Sequence, residues 1–280
     1  MCRLAAYLGE PLFLEELIAK PRHSLMRQSL RAEEAKVVTN GDGFGIGWYG
    51  ERAEPGVYRE VMPAWSDDNL LALSQTLSSR LFFAHVRAAT AGGIARQNCH
   101  PFRHGRYLFM HNGQIGAYGQ LRRTMEAWLP DELYAERRGA TDSELLFLLA
   151  LARIQQGTPI DEAMTSVLDE TMALMRERGV EQPLRFAAVL ADGEQLYAFR
   201  IASDGNPPTL YLRRCNGGTI IASEPLCEGE TGWQLLPDGA VVMLDSSSCR
   251  VTERVAERVT ERVTERITQR ATERPAVAVA

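Results

Sequence analysis

The sequence predicts an α+β layered sandwich, with strands toward both ends of the chain and helices between them. Two observations carry this. Short runs of β-branched and aromatic residues bounded by Gly or Pro recur up to residue 111 and again from residue 186 onward. Between them the apolar residues take helical spacing over 117–129, 142–156 and 160–177.

In chain order, residues 1–8 read as a strand, 12–19 as an apolar helix-like stretch and 23–30 as a second such segment. Residues 44–49 and 57–62 read as two strands joined by a loop. Ser66 has the character of an N-cap, with Asp67 and Asp68 in the first turn of a helix running to residue 79. Residues 81–87 form a buried-strand pattern, a Gly-containing loop carries 90–104, and 107–111 returns as strand. Thr141-Asp142-Ser143-Glu144 is a capping-box signature opening a helix that Gly157 ends. Strands are expected at 186–191, 195–201, 209–213, 219–223 and 240–244. Residues 251–274 then repeat Val-Thr-Glu-Arg with small variations. As a strand this puts Val and Glu on one face; as a helix its Val stripe drifts by about 40° per repeat. No apolar face forms either way. A domain over 1–250 and a low-complexity tail over 251–280 are therefore expected, with catalysis independent of the tail.

Composition bounds the function. A net charge of −5 over 280 residues gives no basic footprint for nucleic acid. The longest apolar run, 145–152, is far below the ~20 residues needed to cross a bilayer, and no signal-peptide pattern opens the chain. A cytoplasmic protein is the expectation. Five cysteines, an odd number without a C-x-x-C pair, suggest neither a disulfide framework nor a cysteine-rich zinc site. No cofactor motif is present.

Cys2 is the cysteine whose address matters. Trimming of Met1 would give one residue both a thiol and a free α-amine, and an amine of pKa ~7.7–8.0 suits the proton of a thiol near ~8.5. His85 and Arg87 share a face at the end of a hydrophobic strand, where the Arg87 fork suits a carboxylate, that of a substrate or of one of the chain's own acids. In His111-Asn112-Gly113-Gln114 the Asn-Gly step either makes an ordinary turn or aims a side-chain amide and a backbone N–H at one spot, as an oxyanion hole requires. Asp142 is favourable in a first helical turn whatever the function, and can also hold a substrate ammonium. Asn40 to Gly50 is glycine-rich but lacks the Lys-Ser/Thr ending of a phosphate loop; its glycines more naturally let backbone pass close to the nucleophile. Four of the five histidines (His85, His100, His104, His111) fall within 27 positions, which raises a metallohydrolase as a rival, although the spacing matches no zinc pattern.

Taken together, Met1-Cys2-Arg3, Asp42-Gly-Phe-Gly-Ile-Gly-Trp48, His85-Val-Arg87, Asn98-Cys-His-Pro-Phe102, His111-Asn-Gly-Gln114 and Thr141-Asp-Ser-Glu144 resemble the class II, N-terminal nucleophile glutamine amidotransferases. The resemblance is to the stand-alone, single-domain type, such as the γ-glutamyl hydrolases of ergothioneine biosynthesis and the related glutathione-degradation subunit. It implies a four-layer αββα sandwich of the N-terminal nucleophile hydrolase type. Cys2 would be the nucleophile and Asn112 with the Gly113 amide the oxyanion hole. Arg87, Thr90 and Asp142 would surround the substrate head group, and His85, His100 and His111 would line the site. The implied activity is hydrolysis of a small-molecule γ-glutamyl amide without metal or cofactor. The alternatives are a glutaminase subunit feeding ammonia to a separate synthase chain, a homo-oligomer acting alone, and a silent scaffold. Ala88-Ala89 after Arg87 departs from the aromatic residue of many members, and no acceptor domain is expected after Glu144.

Overall fold

The computed structural model describes residues 2–34, 39–89, 93–215, 217–227, 231–245 and 249–253, the last for its backbone alone. The chain runs β1 (Arg3–Phe13), α1 (Glu15–Ile18), α2 (Leu25–Leu30), β2 (Phe44–Trp48), β3 (Gly56–Glu60), α3 (Asp68–Thr76), β4 (Ser78–Val86), β5 (Phe102–His104), β6 (Tyr107–Gln114). It continues α4 (Tyr118–Glu126), α5 (Asp131–Glu136), α6 (Asp142–Gln155), α7 (Ile160–Glu177), β7 (Arg185–Ala191), β8 (Leu196–Ala202), β9 (Tyr211–Cys215), β10 (Gly218–Ala222), β11 (Trp233–Leu235), β12 (Ala240–Leu244), β13 (Cys249–Glu253). Two antiparallel sheets result, ordered β11-β9-β10-β1-β4-β2-β3 and β13-β12-β8-β7-β6-β5.

Strand alternation sorts the side chains into layers. Leu4, Ala6 and Leu8 of β1 pack with Leu81 and Phe83 of β4, and with Leu108 and Met110 of β6, between the sheets. Ala5 and Tyr7 point the other way, into a cluster with Leu17, Leu25 and Leu70 of α1–α3. Phe109, Phe186 and Phe199 face α4–α7 on the far side of the second sheet. Helices, sheet, sheet and helices therefore stack as the four-layer αββα sandwich.

Several local expectations are corrected. The stretch at 12–19 is helical only in α1, because β1 continues through Leu12 and Phe13, which pair with Ser79 and Ser78 after a register shift. Pro11, with fixed φ and no N–H, favours extended chain there. Asp67, not Ser66, caps α3: its Oδ1 accepts from Leu70 N at 2.8 Å, while Ser66 closes a short 3-10 turn. Thr141 caps α6 by accepting from Glu144 N at 3.2 Å. Only half the capping box forms, since the Glu144 carboxylate accepts from Arg138 N and Gly139 N instead. Gly157, at φ +92°, ends that helix as expected. The short elements β5, α5, β11 and β13 have no counterpart in the sequence reading. β13 pairs with β12, with residues 251–253 opposite 242–240, and so crosses the 250/251 boundary; the rest of the repeat lies outside the described residues.

Candidate active site

The same alternation assembles the site. Position 2 shares the inner face of the first sheet with Leu4, Ala6 and Leu8, and Arg87 continues the inner register 81, 83, 85 of β4. Asn112 continues the register 108, 110 of β6 on the opposite sheet. Cys2, His85, Arg87 and Asn112 are thereby directed into the inter-sheet space at one end of the sandwich.

Cys2 is half-buried, and its Sγ donates to the Ala88 carbonyl over 3.6 Å. Burial pushes the thiol above its ordinary pKa, opposed by the Ala88 backbone and by the charges of Arg87 and Arg3. A thiol so raised needs a base to become a nucleophile. The histidines are poor candidates. Burial holds His85 down to about 3, and His100 and His111 are also lowered by burial, the latter against the pull of Asp142. His85 Nε2 lies 3.4 Å from the His111 carbonyl, bridging the two sheets, and its ring lies tilted against His100 with centroids 4.2 Å apart. A carbonyl only accepts, so the bridge places the proton on Nε2. His111 points away from this space: its Nδ1 meets Ser143 Oγ at 2.8 Å and its ring lies against Phe186 in the helical layer.

Arg87 is buried, and its backbone zips onto the Asp42-Gly43 turn: Arg87 N donates to Gly43 O at 2.8 Å and Asp42 N to Arg87 O at 3.0 Å. The guanidinium Nη1 is 3.5 Å from the Asp42 carbonyl, and Asp42 Oδ2 accepts from Ala89 N at 2.8 Å. Thr90 lies outside the described residues. Asn112 is fully buried, and neither Oδ1 nor Nδ2 has a hydrogen-bond partner among the described residues. A Cβ on Gly113 would lie 1.9 Å from the Arg185 carbonyl, so only glycine lets β6 approach β7 there. Asp142 Oδ2 accepts from Ile115 N and its Oδ1 from Ser143 N, both at 2.9 Å, with Ser143 Oγ at 3.4 Å. A carboxylate with about four lone-pair sites retains room for one more donor.

The glycines at 43–47 serve a different approach from the one expected. A Cβ on Gly43 would meet Cys99 Sγ at 2.6 Å, one on Gly45 the His100 carbonyl at 2.2 Å, and one on Gly47 the Pro101 ring at 2.8 Å. The close passage is that of 99–101 over β2, which is why the glycine-rich and Asn98-Cys-His-Pro motifs occur together. Asn98, buried, accepts from Ala140 N at 3.0 Å and donates to Gly93 O at 3.3 Å, joining the loop after Arg87 to the loop before Asp142. Among the described residues no three His, Cys, Asp or Glu side chains gather so as to hold a metal ion, and no helix is long and apolar enough to cross a membrane.

Two antiparallel sheets between helical layers make the four-layer sandwich of the N-terminal nucleophile hydrolase type. The sequence profile described as glutamine amidotransferases class-II matches residues 20–215, and the chain belongs to that family of enzymes. A glutamine aminotransferase class-II domain protein from Silicibacter pomeroyi superposes with a TM-score of 0.71 at 35% identity, covering 90% of this chain and 99% of that one. The chain is 29% identical over 255 residues to the gamma-glutamyl-hercynylcysteine sulfoxide hydrolase of Mycolicibacterium smegmatis, covering 90% of this chain and 99% of that protein. It is 38% identical over 161 residues to a Saccharomyces cerevisiae protein described as a probable glutamine amidotransferase, covering 54% of this chain but only 45% of that protein's length.

Proposed function

We propose that the chain hydrolyses γ-glutamyl amides, glutamine or a γ-glutamyl conjugate, through a thioester on Cys2. The observation that carries this is Asn112. A buried amide without a partner costs about 1–3 kcal/mol, and an oxyanion on a substrate's γ-carbonyl would take up its Nδ2–H.

Removal of Met1 would free the α-amine of Cys2. That amine takes the thiol proton as Sγ attacks the γ-carbonyl carbon, and Asn112 with the Gly113 N–H holds the resulting oxyanion. Collapse expels ammonia or an amine, which leaves with the proton from the α-ammonium, and the γ-glutamyl thioester remains. Water then attacks with the amine again as base, and glutamate departs as the thiol is restored. Arg87 and Thr90 would hold the substrate α-carboxylate and Asp142 its α-ammonium, while His85 and His100 stay neutral as lining and His111 supports β6 from the helical side.

The mycobacterial relative's name supports a γ-glutamyl conjugate as substrate. A glutaminase subunit serving a separate synthase chain is the second reading, and it requires a partner. In this proposal residues 251–280 take no part in the chemistry.

The test is intact mass after incubation with a glutamine-mimicking diazo-ketone, for the parent and Cys2→Ala. A single adduct on Cys2, prevented by glutamine, on a chain lacking Met1 supports the reading. A folded, Met1-trimmed parent without adduct would sink it.

A further inference from the structure

An N-terminal nucleophile has no chain upstream to hold it, so whatever fixes its geometry must grip the residues just after it. In this protein that grip comes from Ser223 and Glu224, which follow β10. Ser223 N donates to Leu4 O at 2.9 Å and Leu4 N donates to Ser223 Oγ at 3.1 Å, so one residue holds both backbone groups of Leu4. Beside it, Glu224 Oε1 lies 3.1 Å from Arg3 Nε, with both side chains buried. That contact is an ion pair whose angle falls short of a hydrogen bond, and the other Arg3 nitrogens have no hydrogen-bond partner among the described residues. Arg3 is thus anchored by the Glu224 charge.

The same carboxylate gathers a second segment. Glu224 Oε1 accepts from Glu34 N at 2.9 Å, and Oε2 accepts from Glu33 N at 3.0 Å and meets His23 Nε2 at 2.7 Å. Two backbone N–H groups and His23 thereby hydrogen-bond the carboxylate, and the Arg3 charge stands beside it. Glu224 therefore reaches Cys2 through Arg3, the residue next to it, beside the Ser223 grip on Leu4.

We propose that Glu224 is a positioning residue for Cys2, acting through Arg3; the proposal rests on the reading of Cys2 as nucleophile. It touches no substrate. Its loss should misplace the thiol and leave the head-group contacts of Arg87 and Asp142 in place, so it should fall on turnover rather than on substrate binding.

The experiment compares the full-length parent with Glu224→Gln, Glu224→Asp and His23→Phe. Leu168→Ala, in the distant helical layer, is the control matched for lost thermal stability. Turnover is read with L-γ-glutamyl-p-nitroanilide and thiol access by the rate of Cys2 alkylation with iodoacetamide. Glu224→Gln should lower kcat roughly 10- to 100-fold with KM within about threefold, and alter the alkylation rate. Glu224→Asp should recover part of kcat, and His23→Phe, which removes one donor, should show a smaller loss in the same direction. If Glu224→Gln does not fold, His23→Phe carries the test. Unchanged kcat and alkylation in a folded variant, or an equal kcat loss in Leu168→Ala, would overturn the proposal. A parent that neither turns over the amide nor takes the diazo-ketone on Cys2 speaks against the γ-glutamyl reading instead, and the alkylation comparison then decides the role of Glu224 by itself.

Discussion

Asp142 Oδ2 and Ile115 N are joined by a 2.9 Å hydrogen bond that ties the first turn of α6 to the chain just past Gly113. One carboxylate therefore braces the end of β6, where Asn112 and Gly113 lie in the strand rather than in a turn, while keeping capacity for a further donor. Asp142→Asn retains the shape but turns an N–H toward one of two backbone donors. We expect KM for a γ-glutamyl amide to rise roughly 10- to 100-fold, the loss of about 1.5–3 kcal/mol of charged hydrogen bonding, with a lower melting temperature. Steady-state kinetics and a thermal melt check both.

Asn112→Leu should separate activity from stability. The replacement removes a buried amide that has no partner among the described residues, so the melting temperature should hold or rise. Turnover should fall roughly 10²- to 10³-fold through loss of an oxyanion donor. A variant both unstable and inactive would place Asn112 among the structural residues.

The buried histidines set an acid limit on folding. His85, held at about 3 by burial, stays neutral in the native state while an unfolded histidine protonates below ~6.5. The unfolded state then binds more protons, so stability is full above ~6.5 and falls with pH toward 3, by about 1.4 kcal/mol per pH unit for this group. Glu224, held below the usual carboxylate value despite burial by His23, the Glu33 N–H, Arg3 and the Glu34 N–H, adds its loss only below ~4.5. Urea unfolding at pH 7 and pH 5 should therefore report the histidines, and His85→Gln should flatten the difference.

Gly45→Ala should destabilise strongly, because its Cβ would lie 2.2 Å from the His100 carbonyl, a backbone atom. Overpacking of this kind costs about 1–3 kcal/mol, and displacement of 99–101 should lower turnover as well. A melting temperature equal to the parent's would show that this segment moves aside freely.

Truncation after Glu253 should preserve both turnover and melting temperature. Truncation after 248 removes β13 and leaves β12 as a bare edge, so it should promote association, seen by light scattering.

Where the sequence was legible, the reason was local periodicity or a compact motif. The 18 residues of α7 and the strand β12 were read with their observed bounds, because each stands alone with a clean apolar pattern. Cys2, Arg87, Asn112 and Asp142 were singled out by short motifs at or near element ends, and their roles are those proposed above. The neighbourhood of Glu224 was not: Arg3 and Glu224 are far apart in sequence and meet only because β10 lies beside β1. A lone carboxylate after a strand carries no local mark of that encounter. His111 was found as a residue, but its facing follows from the register of β6, which a motif does not specify. The three-residue strands β5 and β11 are too short to show a period at all.

The alternation of β1 gives Cys2 a parity. Position 2 shares the inner face with Leu4, Ala6 and Leu8, whereas Arg3, Ala5 and Tyr7 belong to the helical side. One residue inserted between Cys2 and Leu4 would swing the thiol through the sheet into the wrong layer; two would turn it back, one strand step too far out. The spacing between Cys2 and the core is thus counted in whole pleats.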